Sequence, residues 1–262
     1  MKEPLQRFTI VEHSTHVIEL RMSRPEKLNA MDRQWFHELT SVMSGFGVED
    51  EVRAVVLTGE GRAFSAGGDI DMFHDLAGNI QQVRPHLKRV YDAFHSVERC
   101  AVPVIAAVHG LAYGGGTELA LACDIVVAGE SARFAFKEIT VGLQPGFGMV
   151  RAPRMLGPQW ASYLALTGRD LDADQARSCG LVQEVHPDGQ LLEGALGLAR
   201  EIAAKPPLAV QVGKAFINRH TTDDFSESVE ATALLFGTAE HADAVAAFRG
   251  RVGAGTGGSG SR

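Results

Sequence analysis

Apolar residues along the chain follow two rhythms. Short runs dense in β-branched residues, at Val52–Thr58, Val102–Val108 and Ile125–Ala128, predict strands buried on both faces. Phe8–Val11 and His16–Met22, separated by a polar turn, predict a hairpin, and Ala132–Phe136 and Gly180–Val185 predict two more short strands. Elsewhere the spacing is helical. Trp35, Leu39, Val42 and Met43 share one face of a helix capped near Asp32 and running to about Phe46. Met72, Phe73, Leu76, Ile80, Val83, Leu87 and Val90 predict helical structure across Asp71–Arg99, interrupted at Gly78 and Pro85. Helices are further expected over 158–166 and 173–179, then over 191–204, 207–218, 225–236 and 239–248. Strands are thus confined to the chain before about residue 185. The expected division is a mixed α/β core (1–190), a helical C-terminal region (191–250) and a Gly/Ser-rich flexible tail (251–262).

Two glycine-rich turns interrupt this pattern, each between a buried strand and a helix. The first is Gly61–Arg62–Ala63–Phe64–Ser65–Ala66–Gly67–Gly68–Asp69–Ile70, in which Asp69 is placed to cap the following helix. It lacks the Lys-Ser/Thr pair of a P-loop, and Ala63 stands where a nucleophile elbow needs glycine. Ser65 therefore reads as a small residue in a tight turn. The second turn holds Gly114, Gly115 and Gly116, followed by the helix-favouring run Thr117–Ala122. Backbone N–H groups at such a helix start attract negative charge. Glu118 stands just inside that end, and an oxyanion site beside a carboxyl points to proton-transfer chemistry. Glu138, set among Phe134, Phe136, Ile139 and Val141, is a second candidate, because burial raises a carboxyl pKa toward the acid/base range.

Composition narrows the class without naming it. The chain has 262 residues, 45% apolar and 22% charged, enough for a sizeable core. A net charge of −7 with no basic run argues against nucleic-acid binding. No apolar run reaches membrane-spanning length, and the N-terminal residues show no secretory signal. Cys100, Cys123 and Cys179 are odd in number and far apart, which fits reduced cytoplasmic thiols better than a disulfide framework or a zinc pair.

Taken together, RPEKLNAM (24–31), RAFSAGGDI (62–70), HGLAYGGGTELALACDI (109–125), GLQPGFG (142–148), TGRDLDADQARSCGLVQEV (167–185) and AEHADAVAAF (239–248) resemble the enoyl-CoA hydratase/isomerase, or crotonase, family over nearly the whole chain. The resemblance implies a Clp-protease-like β-β-α spiral followed by a helical region used in trimerisation, with trimers able to pair as hexamers. It implies an acyl-CoA thioester substrate and no metal or redox cofactor. Carried onto this sequence, it makes the N–H groups of Gly68 and Gly115 the oxyanion hole and Glu118 and Glu138 the catalytic pair. It assigns CoA and substrate contacts to Lys27, to the Ala66 carbonyl, and to Asp69 and Ile70 beside it. Hydration then needs one carboxyl to activate water and one to deliver a proton to the α-carbon.

The chain departs from the family after Pro145–Gly146, where Phe147 and Met149 are expected to narrow or reshape the acyl pocket. Three rivals stand beside hydration. A Δ3,Δ2-enoyl-CoA isomerase needs only one base. A serine hydrolase on the related fold would use Ser65 with His109. A non-catalytic member would bind acyl-CoA without turnover.

Overall fold

The computed structural model describes residues 4–47, 51–218 and 225–255. Its main sheet has six strands in the order β1 (Phe8–Ser14), β2 (Val17–Met22), β3 (Ala54–Gly59), β4 (Val104–Val108), β6 (Ile125–Gly129) and β9 (Glu184–His186). β1 and β2 form the expected antiparallel hairpin, and every later neighbour is parallel. Parallel strands need helices on both faces. This explains why β3 and β4 are buried at every position and read as continuous apolar runs.

On one face lie α1 (Arg33–Met43), α3 (Ile80–Arg99) and α4 (Gly115–Ala122), around Trp35, Leu39, Phe94 and Leu119. On the other face, Val17, Val56, Ile105 and Val127 meet Leu191, Ala195, Leu196 and Ala199 of α8 (Leu191–Ala203). The first helix of the C-terminal region therefore lies directly on the sheet.

Several starts and stops follow the sequence closely. Asp32 caps α1, accepting the Trp35 N–H at 2.9 Å, and Asp69 caps α2 (Ile70–Leu76), accepting the Asp71 N–H at 2.9 Å. The break expected at both Gly78 and Pro85 occurs only at Gly78, which has φ +76°. Pro85 sits in the second turn of α3, where the missing N–H removes a single bond near the helix start.

The strand expected over Ala132–Phe136 is β7 (Arg133–Ala135), and it lies in a second sheet with β5 (Leu111–Tyr113) and β8 (Leu171–Asp172), which were not anticipated. α5 (Gly146–Leu156) was likewise not anticipated. α6 (Pro158–Thr167), α7 (Ala173–Ser178) and α9 (Pro207–Asn218) occupy expected positions. α10 (Phe225–Phe236) packs on α3 and α5, while α11 (Ala239–Gly255) packs on α2 and on the 3-10 turn Lys137–Val141. α11 runs past residue 251, where the sequence suggests a flexible tail. Residues 256–262 of that tail lie outside the described residues.

Candidate active site

Backbone pairing across Ser65 brings the two glycine turns together. The Ser65 N–H donates to Leu111 O at 2.9 Å, and the Tyr113 N–H donates to Ser65 O at 2.9 Å. A second seam joins the first turn to the 28–31 segment: Met31 N–H to Gly67 O at 2.8 Å and Ala66 N–H to Leu28 O at 2.9 Å. Asn29 locks this corner from a buried position. Its amide donates to Glu60 O at 2.9 Å and Ala63 O at 2.8 Å, and its side-chain oxygen accepts the Arg24 N–H at 3.0 Å. Sequence reasoning passed over Asn29, which has φ +55°; the signal available was its type, since asparagine adopts the left-handed region more readily than other non-glycine residues.

The seam sets the two expected donors side by side. A Cβ on Gly67 (φ +88°) would stand 3.0 Å from the Gly115 nitrogen, and one on Gly115 would stand 3.6 Å from the Gly68 nitrogen. Any side chain here would fill the space a ligand oxygen needs. Among the described residues, neither the Gly68 N–H nor the Gly115 N–H has a protein acceptor. Gly115 is the first residue of α4, so its N–H also lies at the positive end of the helix dipole.

Glu118, in the first turn of α4, is buried, and its carboxylate reaches another helix. Glu118 Oε1 accepts the Gly148 N–H at 2.8 Å, with the Phe147 N–H as a second donor. Both belong to the first turn of α5, which has no side-chain cap of its own. Arg151, one turn further along, anchors α5: its Nε donates to Leu121 O at 3.1 Å and lies 3.2 Å from Glu98 Oε1. Burial pushes the Glu118 carboxyl above its ordinary range, while the two N–H donors pull the other way.

Glu138 follows β7 in the 3-10 turn Lys137–Val141. Its Oε1 lies against Gly114, where a Cβ would stand 2.7 Å away, and its Oε2 is buried without a hydrogen-bond partner among the described residues. Burial, with the facing Glu118 second, raises its carboxyl well above the ordinary range. Two adjoining buried carboxyls cannot both ionise cheaply, so they titrate as a pair.

The remaining predicted residues are more peripheral. Ala66 lies in the first turn, half-buried. Ile70 opens α2 and packs at the edge of the core. The Asp69 carboxylate is engaged by its own helix cap and by Arg24 Nη1 at 2.7 Å. Burial works to raise its pKa, but Arg24 and the Asp71 N–H hold it below the usual carboxylate range. Lys27 is exposed, with Nζ 3.5 Å from Asp71.

One expectation is corrected, and the reading of Ser65 as a turn residue holds. Phe147 does not narrow a pocket: it is 1% exposed and packs on Tyr91, Phe94 and His95 of α3, because that is the apolar side of α5. Ser65 and His109 form no dyad. The Ser65 hydroxyl donates to Asn29 O at 2.8 Å and accepts the Gly67 N–H at 3.1 Å, while His109 Nε2 bonds Gly61 O at 3.0 Å. Phe73, one of the apolar residues at helical spacing after the first glycine turn, packs its ring so close to Gly68 that a methyl there would overlap it.

The family profile described as enoyl-CoA hydratase/isomerase matches residues 12–252. The 2,3-dehydroadipyl-CoA hydratase of Escherichia coli is 39% identical over 208 residues, 78% of this chain and 79% of that protein. The human mitochondrial Delta(3,5)-Delta(2,4)-dienoyl-CoA isomerase is also 39% identical, over 214 residues, 76% of this chain and 64% of that protein. The crystal structure of an enoyl-CoA hydratase/isomerase from Mycobacterium paratuberculosis superimposes with a TM-score of 0.87 at 27% identity, covering 94% of this chain and 100% of that one. The chain belongs to the enoyl-CoA hydratase/isomerase family. It is an enzyme family with the α/β crotonase fold. Among the described residues no helix is long and apolar enough to cross a membrane.

Proposed function

We propose that the protein is an enoyl-CoA hydratase, adding water across the 2,3-double bond of a 2-enoyl-CoA thioester. The observation that carries this reading is the interacting Glu118–Glu138 carboxyl pair, beside the N–H groups of Gly68 and Gly115 that find no protein acceptor among the described residues. In the proposed mechanism those two N–H groups receive the thioester oxygen as it gains enolate charge. Removing one such donor raises the barrier by about 3 to 4 kcal/mol. Glu118, its orientation fixed by α5, holds the water and activates it for attack at C3. Glu138 delivers the proton to C2, so that the elements of water are added across the bond. The substrate's adenine amino group donates to the Ala66 carbonyl, Lys27 meets the nucleotide phosphates, and Asp69 and Ile70 shape the wall between. No metal or redox group enters this reaction, and CoA arrives with the substrate.

Assembly and location belong to the same reading. The face of α9 bearing Leu208, Val212 and Phe216, with Ile217 beside it, is exposed. Such an apolar stripe supports burial against further copies, and we read the enzyme as a cytoplasmic homotrimer able to pair as a hexamer. A monomeric mass by light scattering at working concentration would overturn that assembly.

The decisive assay follows loss of conjugated enoyl-thioester absorbance over a panel from crotonyl-CoA to long-chain enoyl-CoA. The wild type turns over, and Glu138→Gln loses on the order of 10²- to 10⁴-fold in kcat. No turnover at any chain length, with thioester binding intact, would refute hydration. The isomerase reading would then lead, since one base suffices for it and a dienoyl-CoA isomerase is as similar to this chain as a hydratase is. Binding with no reaction of either kind would instead mark an acyl-CoA-binding protein.

A further inference from the structure

The three ends of the small sheet meet at a cluster that the proposed chemistry does not use. Tyr113 ends β5, immediately before Gly114 and Gly115. Lys137 opens the turn that carries Glu138, two residues beyond the end of β7. Asp170 stands one residue before β8. Lys137 Nζ donates to Gly168 O at 2.7 Å, pairs with the Asp170 carboxylate, and lies 4.9 Å from the centre of the Tyr113 ring. The Tyr113 hydroxyl donates to the other Asp170 oxygen at 2.7 Å. An ammonium has three donors. A carbonyl, a carboxylate and an aromatic face take up this one from three directions.

We propose that Lys137, Asp170 and Tyr113 form a clasp that positions Glu138 against the oxyanion turn and keeps the Lys137 ammonium off its carboxyl. This rests on the reading of Glu138 as the acid/base group. The geometry supports both functions. Backbone pairing of Tyr113 with Ala135, and the Gly114 N–H bond to Ala135 O at 2.8 Å, fix where the Glu138 turn begins. At its far end, His241 of α11 bonds Val141 O at 2.6 Å. Between these anchors, the clasp is the side-chain tie that joins the turn to β5 and β8. It also directs a cation, placed next to Glu138 in sequence, outward. A cation released onto a buried carboxyl favours its ionised form and removes the proton it is to deliver.

The charged groups around Glu138 and the clasp come from several elements. Glu118 of α4 faces the carboxyl directly, Arg133 of β7 faces Asp170 and Tyr113, and His241 reaches the turn from α11. Burial together with Asp170 pushes the Tyr113 phenol up to about 12, so it remains a donor throughout the working range. Burial works to raise the Asp170 carboxyl, but Lys137 and Tyr113 hold it below the ordinary range, so it remains an acceptor.

The test is a set of pH–rate profiles for wild type, Asp170→Asn, Lys137→Met and the double variant, all at partly exposed positions. Asp170→Asn is expected to move the alkaline limb of kcat acidward by about one pH unit, with KM little changed. Adding Lys137→Met to it returns the limb toward wild type, because the freed cation is gone. Lys137→Met alone lowers kcat several-fold with no acidward movement. A wild-type limb in Asp170→Asn, a double variant no better than the single, or an acidward limb in Lys137→Met would each overturn the clasp.

Isotope-edited infrared titration of the protonated carboxyl, assigned by its loss in Glu138→Gln, gives the same reading without turnover. If Glu138→Gln remains fully active while the infrared shift persists in Asp170→Asn, the acid–base reading falls and the clasp stands. If Glu138→Gln is inactive and Asp170→Asn changes neither profile, the clasp alone falls.

Discussion

Glu118 Oε1 accepts the Gly148 N–H at 2.8 Å, so a side chain in the first turn of α4 caps the first turn of α5. Two helix N-termini thus serve one site with opposite assignments. The start of α4 leaves the Gly115 N–H available to a substrate oxygen, and the start of α5 holds a protein carboxyl. The carboxyl is oriented by backbone donors of α5, and so by whatever holds that helix in place.

Glu118→Gln keeps an acceptor oxygen for the Gly148 N–H but cannot take a proton from water. Hydration is expected to fall by about 10²-fold or more, while movement of a double bond between positions, which needs only Glu138, falls far less. Assaying both reactions on matched 2-enoyl- and 3-enoyl-CoA substrates checks this. Equal losses in the two would remove the division of labour between the carboxyls.

The pair also links stability to pH. Both carboxyls are raised in the folded protein, so between the unfolded carboxyl pKa and the higher folded values the native state binds more protons than the unfolded chain. Their contribution is fully present in acid and is lost as pH rises through the folded values. Glu138→Gln is therefore expected to melt above wild type at pH 8, with the gap closing toward pH 4. Calorimetric melts across that range measure it, and a gap that grows in acid would contradict the sign.

Gly114→Ala tests the geometry of the turn. Gly114 has φ +51°, and its Cβ would stand 2.7 Å from Glu138 Oε1. The strain costs roughly 1–3 kcal/mol, and the methyl displaces the carboxyl. A lower melting temperature together with a larger loss in kcat than in thioester affinity is expected. Unchanged kcat would mean that Glu138 does not act from this position.

Ser65→Ala orphans the Gly67 N–H and weakens the seam between the turns. A cost of about 1–3 kcal/mol follows from leaving a buried donor unpaired. Residual turnover in the folded variant, and no labelling of wild type by fluorophosphonates, are expected because this hydroxyl has no base. Stoichiometric labelling at Ser65 would reverse that conclusion.

Much of this was written locally. The caps at Asp32 and Asp69, the β-branched strands and the two glycine turns depend on interactions within a few residues, and they lie where the sequence places them. α5 was not legible, because Gly146, Gly148 and Pro153 are poor helix formers. That helix is held instead by Phe147 packing on α3, by Arg151 reaching Leu121 O and Glu98, and by the distant cap from Glu118. β7 was legible within Ala132–Phe136, but β5 and β8, three and two residues long, are too short for an alternation to register.

The sequence by itself determined most element types, the glycine turns and the family, because each rests on local propensity or on residues in a fixed order. The tertiary structure decided what the ionisable groups are. Glu118 and Glu138 stand twenty residues apart in the chain; a glycine turn before one and apolar neighbours around the other mark each as a candidate, but nothing local brings the two together. Burial, their mutual repulsion and N–H groups from another helix raise or orient them. Those are properties of neighbours that only folding brings together.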